Sequence, residues 1–178
     1  GDGDASTMIE TRGTVSAGNT LTLMATSLAV RGGDSASGTA TDNPDGSGSI
    51  AINAAGSLVS TAAMSLNVSG AVSVRGGNNL NADATGNSGA GTAVIGANAL
   101  IQSGGMMTFV NAGSLDILGG IQMLGRSASA GGPGPSIAAT LANASVFSGG
   151  DFYYTGGSIS LVGGTARASN IGPFNSAI

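Results

Sequence analysis

The chain contains no cysteine, histidine, tryptophan or lysine, so all five of its positive charges are arginines. Nine acidic residues outweigh them and give a formal net charge of −4. Such a surface lacks the clustered cations that displace counterions from phosphates, which argues against nucleic-acid binding. Binding to anionic membranes is disfavoured for the same reason.

Long hydrophobic runs and charge are also scarce. No apolar run approaches the ~20 residues that span a bilayer, so membrane insertion is not expected. Only 8% of the residues are charged, whereas 41% are apolar and 33 are glycine. Disordered chains combine low hydrophobicity with high charge, and globular α/β proteins carry roughly a quarter charged residues, so both classes fit poorly. A chain of short strands and tight turns remains.

An internal repeat organises the sequence. Pairs of glycines begin at positions 32, 76, 119 and 163, and are therefore 44, 43 and 44 residues apart. Apolar segments that open at Val15, Val59, Ile101 and Val146 precede these pairs in similar register. We therefore predict one domain over 1–178 with repeat units at about 14–57, 58–100, 101–144 and 145–178.

Within each unit apolar residues alternate with small or polar ones, as in Leu21-Thr-Leu23. A period of two indicates strands with one inward face, and no segment combines helical spacing with a cap. A sandwich or barrel does not require internal repetition, whereas a solenoid stacks near copies of one coil. We predict an all-β fold, a right-handed parallel β-helix or β-solenoid. Two inward ladders are expected: Leu23, Leu66, Phe109 and Tyr154, and Leu28, Val72, Leu115 and Ile159.

The size of one coil is less constrained by the pattern. The segment 14–33 is long enough for a triangular coil, which favours two coils per unit, about eight coils in all and a rod about 40 Å long at ~4.8 Å per coil.

The segments 34–49, 78–91 and 127–135 are rich in Gly, Ser, Asp, Asn and Pro. We expect them to be loops that protrude from the scaffold.

Two segments, Val15-Ser-Ala-Gly-Asn-Thr-Leu-Thr-Leu23 and Ser148-Gly-Gly-Asp-Phe152, resemble the repeats of filamentous haemagglutinin-like, two-partner-secreted surface proteins. The resemblance covers most of residues 14–164. It implies a right-handed parallel β-helix, a place outside a bacterial cell and a role in an adhesin or toxin-delivery stalk. It implies no catalytic residue.

Acidic and aromatic residues provide few candidates for catalysis. Asp116 and Asp151 are the only acids in or beside predicted strands, and they fall in different columns of the repeat. Glycoside hydrolysis needs two carboxyl groups at roughly 5 to 9.5 Å, and elimination needs a base that histidine or lysine would supply. Tyr153 and Tyr154 fit stacking better than catalysis. We predict that the chain is not an enzyme, with a polysaccharide-degrading β-helix as the remaining catalytic alternative.

Three further motifs have structural or binding interpretations. Asp42-Asn-Pro-Asp-Gly46 resembles part of a calcium loop, so Asp42, Asn43 and Asp45 are the candidate calcium ligands, although a solvated turn is the favoured explanation of the segment. No other cofactor is predicted. Arg31 and Arg75 share a column that later holds Leu118 and Val162, which indicates turn residues paired with Asp34 or solvent. The Thr20-Leu-Thr22 pattern does not persist into the later repeats, which argues against an ice-binding ladder.

Two non-catalytic functions follow. In the first, the chain is a structural extracellular protein, a subunit of a fibre or matrix whose copies stack head to tail, because a solenoid has open ends. In the second, it is a stalk segment of a large bacterial adhesin, and loops at 34–49 and 78–91 bind host or neighbour-cell glycans.

Overall fold

The structure, a computed structural model, describes residues 5–34, 36–41, 46–78, 80–85, 91–111, 113–119, 128–131, 136–163, 168–171 and 175–177. These residues form strands and turns, and none of them lies in a helix long and apolar enough to cross a membrane. The predicted all-β solenoid is confirmed, because the strands recur in the same order and stack in parallel sheets.

Four coils of five strands each follow one another, and the first strand of a fifth coil is present. Coil 1 comprises β1 Ala5–Glu10, β2 Gly13–Ala17, β3 Leu21–Ala25, β4 Leu28–Arg31 and β5 Ala36–Thr41. Coil 2 comprises β6 Gly48–Asn53, β7 Gly56–Ser60, β8 Met64–Val68, β9 Val72–Arg75 and β10 Leu80–Thr85. Coil 3 comprises β11 Gly91–Gly96, β12 Ala99–Ser103, β13 Met107–Asn111, β14 Leu115–Leu118 and β15 Ala128–Gly131. Coil 4 comprises β16 Ser136–Leu141, β17 Ala144–Ser148, β18 Phe152–Gly156, β19 Ile159–Val162 and β20 Ala168–Ile171, and β21 is Asn175–Ala177.

Each strand of a coil belongs to a different sheet. Sheet A contains β1, β6, β11, β16 and β21; sheet B contains β2, β7, β12 and β17; and sheet C contains β3, β8, β13 and β18. Sheet D contains β4, β9, β14 and β19, and sheet E contains β5, β10, β15 and β20. One sequence repeat is therefore one wide coil, and the expectation of two coils per unit is wrong. Because the described strands form four full coils, the rod is about half as long as predicted at ~4.8 Å per coil.

The inward ladders have the predicted composition. Leu23 pairs with Leu66, Leu66 with Phe109 and Phe109 with Tyr154. Leu28, Val72, Leu115 and Ile159 are likewise paired in sequence order. The prediction that Val59 opens the second repeat in the column of Val15 is wrong, because Val15 pairs with Leu58. A slip of one residue turns a side chain to the other face, so Val59 points outward.

The segments expected to protrude as loops contain the fifth strands of coils 1, 2 and 3, so the expectation of loops is wrong for β5, β10 and β15. Sheet E lines one side of a thin core that includes Ala40, Ala82 and Ala84, and sheet A supplies isoleucines from the other side. A Cβ at Gly38 would lie 2.7 Å from the Cδ1 atoms of Ile9 and Ile50. Most described inward residues of sheet E are accordingly alanine or glycine, with the buried Leu80 at the start of β10 as an exception, and this composition resembles that of loops.

A second core lies among sheets B, C and D and contains larger side chains. Its fully buried members include Leu58, Met64, Leu66, Met107, Phe109, Leu115 and Ile117.

The glycine that follows sheet D lies at the boundary between the two cores. A Cβ at Gly32 or Gly76 would overlap the carbonyl oxygen of Ala54 or Ala97, in the link between sheets A and B. The Gly77 N–H donates to the Ala54 carbonyl over 2.7 Å. We call this boundary the neck. In coils 1 and 2 the chain can pass the neck only where it has no side chain, which explains the glycine pairs that begin at 32 and 76.

We predict that Gly76→Ala destabilises the protein by about 1–3 kcal/mol or more, because backbone atoms cannot yield to a new methyl group as a flexible side chain can. Gly18→Ala is the matched control, since no heavy atom lies within 4 Å of a Cβ built at Gly18. Thermal unfolding followed by circular dichroism gives the comparison. Equal melting temperatures for the two variants would contradict the account of the neck.

Candidate functional site

The end of the solenoid at coil 4 exposes residues whose counterparts in coils 2 and 3 are buried. Ile159 and Leu161 are 48% and 53% exposed, whereas Leu115 and Ile117, their partners in coil 3, are both 0% exposed. The reason is topological. Among the described strands, β17, β18 and β19 pair with the preceding coil and with no following one.

The exposed residues surround a pocket of about 290 Å³ that opens from this end. Its lining is almost entirely apolar: Leu115, Val146, Ser148, Phe152, Ile159 and Leu161. Phe152 packs edge-on against Phe109 of the preceding coil, with ring centroids 5.8 Å apart. The pocket is thus the uncovered end of the larger core, and we define the open end as this pocket together with the free edges of β17, β18 and β19.

The first coil presents the same columns at the other end of the rod. Val15, Leu21, Leu23 and Leu28 are partly buried and pack against the larger core, whereas their partners in coil 2 are buried. Both ends of the rod therefore expose members of the same columns: coil 1 exposes their first residues and coil 4 their last.

The outward faces of the sheets are mostly small and polar. Thr14 and Ser57 share a hydrogen bond of 2.9 Å, and Thr22, Ser65, Thr108 and Tyr153 form one column of sheet C. Two residues earlier in each coil, the corresponding positions are Thr20, Ala63, Met106 and Asp151, as the backbone hydrogen bonds show. The threonines do not continue as a ladder, as predicted.

A shallow depression of about 240 Å³ lies on the outward face of sheet A. Met8, Ala51 and Val94 line its apolar part, and Glu10, Asn53, Gly96 and Asn98 line the rest, with Ile52 beneath. Glu10 also forms an ion pair with Arg12.

The two acids considered for catalysis are used locally and on different sheets. Asp116 lies on β14 of sheet D and accepts a hydrogen bond of 2.6 Å from Ser114 Oγ. Asp151 precedes β18 of sheet C and accepts one of 3.2 Å from the Tyr153 hydroxyl. Within the described part of the chain, no three His, Cys, Asp or Glu residues are grouped to hold a metal ion.

The two tyrosines have different positions. Tyr154 continues the ladder above Phe109, and its hydroxyl donates to the Ser158 carbonyl over 3.3 Å. Tyr153 points outward and is 54% exposed. Tyr154 is therefore part of the inward stack, as predicted for a stacking residue.

Arg31 and Arg75 are paired across sheet D, and Leu118 follows Arg75 in the same column. Arg75 donates to Asp34 Oδ2 over 2.7 Å, and the Asn78 N–H donates to Asp34 Oδ1 over 3.3 Å. The predicted pairing with Asp34 is thus confirmed for Arg75. Because Asp34 belongs to coil 1, these bonds join two successive coils.

The candidate calcium ligands Asp42, Asn43 and Asp45 lie outside the described residues, so calcium binding there stays a prediction.

Sequence reasoning missed a column of serines at the corner between sheets B and C, of which Ser60 and Ser103 are buried. Ser60 Oγ donates to the carbonyls of Asn19 (2.5 Å) and Ala63 (3.0 Å), and Ser103 Oγ donates to that of Gly105 (2.7 Å). Ser148 forms the same kind of bond to Gly105 and Asp151. Serine recurs at 60, 103 and 148 in the register of the ladders, which is the signal that could have revealed this corner.

Comparison of the chain with family models, curated proteins and solved structures finds no match. The resemblance to filamentous haemagglutinin-like proteins therefore stays a prediction, and function has to be argued from the geometry.

We predict that Leu115→Ala destabilises the chain more than Ile159→Ala does, although both residues lie in one column. Truncation of a fully buried leucine typically costs about 2–5 kcal/mol, whereas half-exposed Ile159 has less burial to lose. Urea unfolding at a concentration where the chain is monomeric measures both. Equal losses would mean that the end of sheet D is covered in solution.

Proposed function

We propose that the chain is a structural, non-enzymatic protein that stacks head to tail with copies of itself and builds an extracellular filament or matrix. The observation that carries the proposal is the open end, where residues of inward ladders are about half exposed. Full burial of a leucine or isoleucine side chain stabilises by roughly 1.5–3 kcal/mol, so covering one that is already half buried contributes about half of that, and several such residues together provide a driving force for stacking.

The repeat also supports assembly by addition of coils. Each coil already buries its apolar face against a near copy of itself, so another copy offers a surface of the same kind. A contact between the two different ends of a rod is heterologous, and such contacts generate filaments when they do not close into a ring. The small polar side chains on the outward faces are compatible with a fibre whose sides stay in water.

The extracellular, bacterial-surface location belongs to the same proposal. Its support is the resemblance of residues 14–164 to exported β-helical repeats, together with the low charge and the high content of Gly, Ser and Asn.

A second candidate function is that of an adhesin stalk that binds surface glycans. The depression on sheet A favours it, because Glu10, Asn53 and Asn98 place carboxylate and amide groups beside an apolar floor. Such a combination of one apolar surface with a few polar groups is common in small-molecule sites.

The first candidate is tested by electron microscopy of the purified chain at neutral pH. We expect unbranched filaments with a layer spacing of ~4.8 Å along the axis. Leu161→Glu should abolish them, because a carboxylate buried between two copies would lose its hydration. Val110→Glu is the matched control, since Val110 is 44% exposed but points outward in the middle of the rod.

Separate short rods in the wild-type chain, at concentrations where other solenoid fibres form, would reject the filament and favour the stalk. Glycan binding that is lost on Asn53→Ala would then support the depression as its site.

Repeating the microscopy with a calcium chelator tests the predicted calcium binding, for which Asp42, Asn43 and Asp45 are the candidate ligands. Filaments that dissolve would implicate bound calcium.

A further inference from the structure

The hydrogen bonds between coils determine how a second copy fits the open end. In sheet C the Leu21 N–H donates to the Ala63 carbonyl, Met64 to Met106, and Met107 to Asp151, over 2.8–3.0 Å. The next donor of this series is Phe152. No coil follows it in sheet C within the described part of the chain.

Sheets B and D have series of the same kind. In sheet D, Leu28, Val72 and Leu115 donate to carbonyls of the following coil, and Ile159 is the next donor. In sheet B the donors are Gly13, Gly56 and Ala99, and Ala144 is the next. The open end thus presents three backbone donors at corresponding corners, from Ala144, Phe152 and Ile159.

The first coil presents the matching acceptors. The carbonyls of Ala63, Met106 and Asp151 accept in sheet C, and the residue in this position of coil 1 is Thr20. By the same spacing, Arg12 and Ser27 hold the acceptor positions for sheets B and D. Each of these residues immediately precedes a donor of the series.

One further series runs in the opposite direction. The N–H groups of Thr61, Gly104 and Gly149 donate to the carbonyls of Ala17, Ser60 and Ser103 in the preceding coil. The next acceptor is therefore the Ser148 carbonyl at the open end, and the first donor is the Gly18 N–H of coil 1. Among these groups, the open end thus presents three donors and one acceptor, and coil 1 presents the three acceptors and the one donor that match them.

We propose that coil 1 of a second copy docks on the open end in the register of the repeat, so that its β2, β3 and β4 pair with β17, β18 and β19. This inference rests on the proposed function and specifies its contact. Val15, Leu23 and Leu28 of the second copy then continue the ladders above Val146, Tyr154 and Ile159. The occupant is a copy of this chain, because its first coil carries both the matching backbone groups and the matching apolar columns.

Sheet A imposes a condition on this docking. β21 pairs with β16 at three positions, Ser136–Asn175, Ile137–Ser176 and Ala138–Ala177. It therefore lies in the layer that β1 of the second copy would enter. β1 pairs with its own β6 at six positions, so the shorter pairing of β21 is the one that yields. Complete docking thus displaces β21 from the edge of sheet A.

Cross-linking tests the register. Thr22 and Tyr153 occupy one outward column, so Thr22 of the second copy should lie beside Tyr153 at the ~4.8 Å that separates neighbouring strands. That separation suits a disulfide, whereas three coils, roughly 14 Å, separate the two residues within one chain. The native chain has no cysteine, so only introduced thiols can react.

We expect the double variant Thr22→Cys/Tyr153→Cys to form a ladder of disulfide-linked multimers on mild oxidation, seen on a non-reducing gel. The matched control is Thr22→Cys/Thr155→Cys, which moves one thiol two residues along the same face and beyond disulfide reach. Ser16→Cys/Phe147→Cys, in one outward column of sheet B, provides an independent second pair.

The outcomes separate the register from the function. If filaments form but neither matched pair cross-links better than the control, the proposed register is wrong and the filament proposal stands. Absence of both filaments and multimers overturns the two together.

We also expect Ser176→Pro to shorten the lag of assembly measured by light scattering, because proline removes an N–H from the strand that must leave. Ser176→Ala keeps that N–H and is the control. Identical lag times for the two variants would overturn the displacement of β21.

Discussion

Parallel pairing of each coil with the next in constant register is the constraint on which the rest of the structure depends. Because each column runs through all coils, a residue type that suits one position has to suit its neighbours above and below. This explains the aliphatic and aromatic ladder from Leu23 to Tyr154 and the serines at 60, 103 and 148. It also explains why bonds such as that from Arg75 to Asp34 join coils rather than distant parts of one coil.

The neck divides each coil into two parts with different packing rules. Sheets B, C and D enclose large side chains, whereas sheets A and E lie so close together that isoleucines of sheet A mostly face alanine or glycine of sheet E. The backbone at Gly32 and Gly76 packs directly on the backbone of the link between sheets A and B, and this contact separates the two parts. A wide coil with two cores results, and its end presents a broad apolar surface flanked by free strand edges.

The sides and the open end of the solenoid differ in the groups that they offer to another molecule. In the described part of the chain, the sides of the rod offer many small polar groups, a shallow depression, acids that serve local hydrogen bonds, and separate exposed apolar side chains such as Met24 and Phe147. The end offers unburied ladder residues and backbone groups in a fixed sequence of donors and acceptors. A second copy could satisfy both features at the same time, which is why the proposed function places the contact at this end.

Periodicity in the sequence determined the fold class and both inward ladders, because side chains alternate strictly along a strand and the repeat returns after a nearly constant number of residues. It did not determine the choice between adjacent apolar residues, so Val59 was assigned to a column that Leu58 occupies. It also did not determine the size of a coil or the strands of sheet E, whose small inward residues depend on isoleucines of the opposing sheet, such as Ile9 and Ile50 opposite Gly38. Only the tertiary structure decided that Ile159 and Leu161 are exposed, because exposure depends on whether another coil lies above them and not on their own sequence.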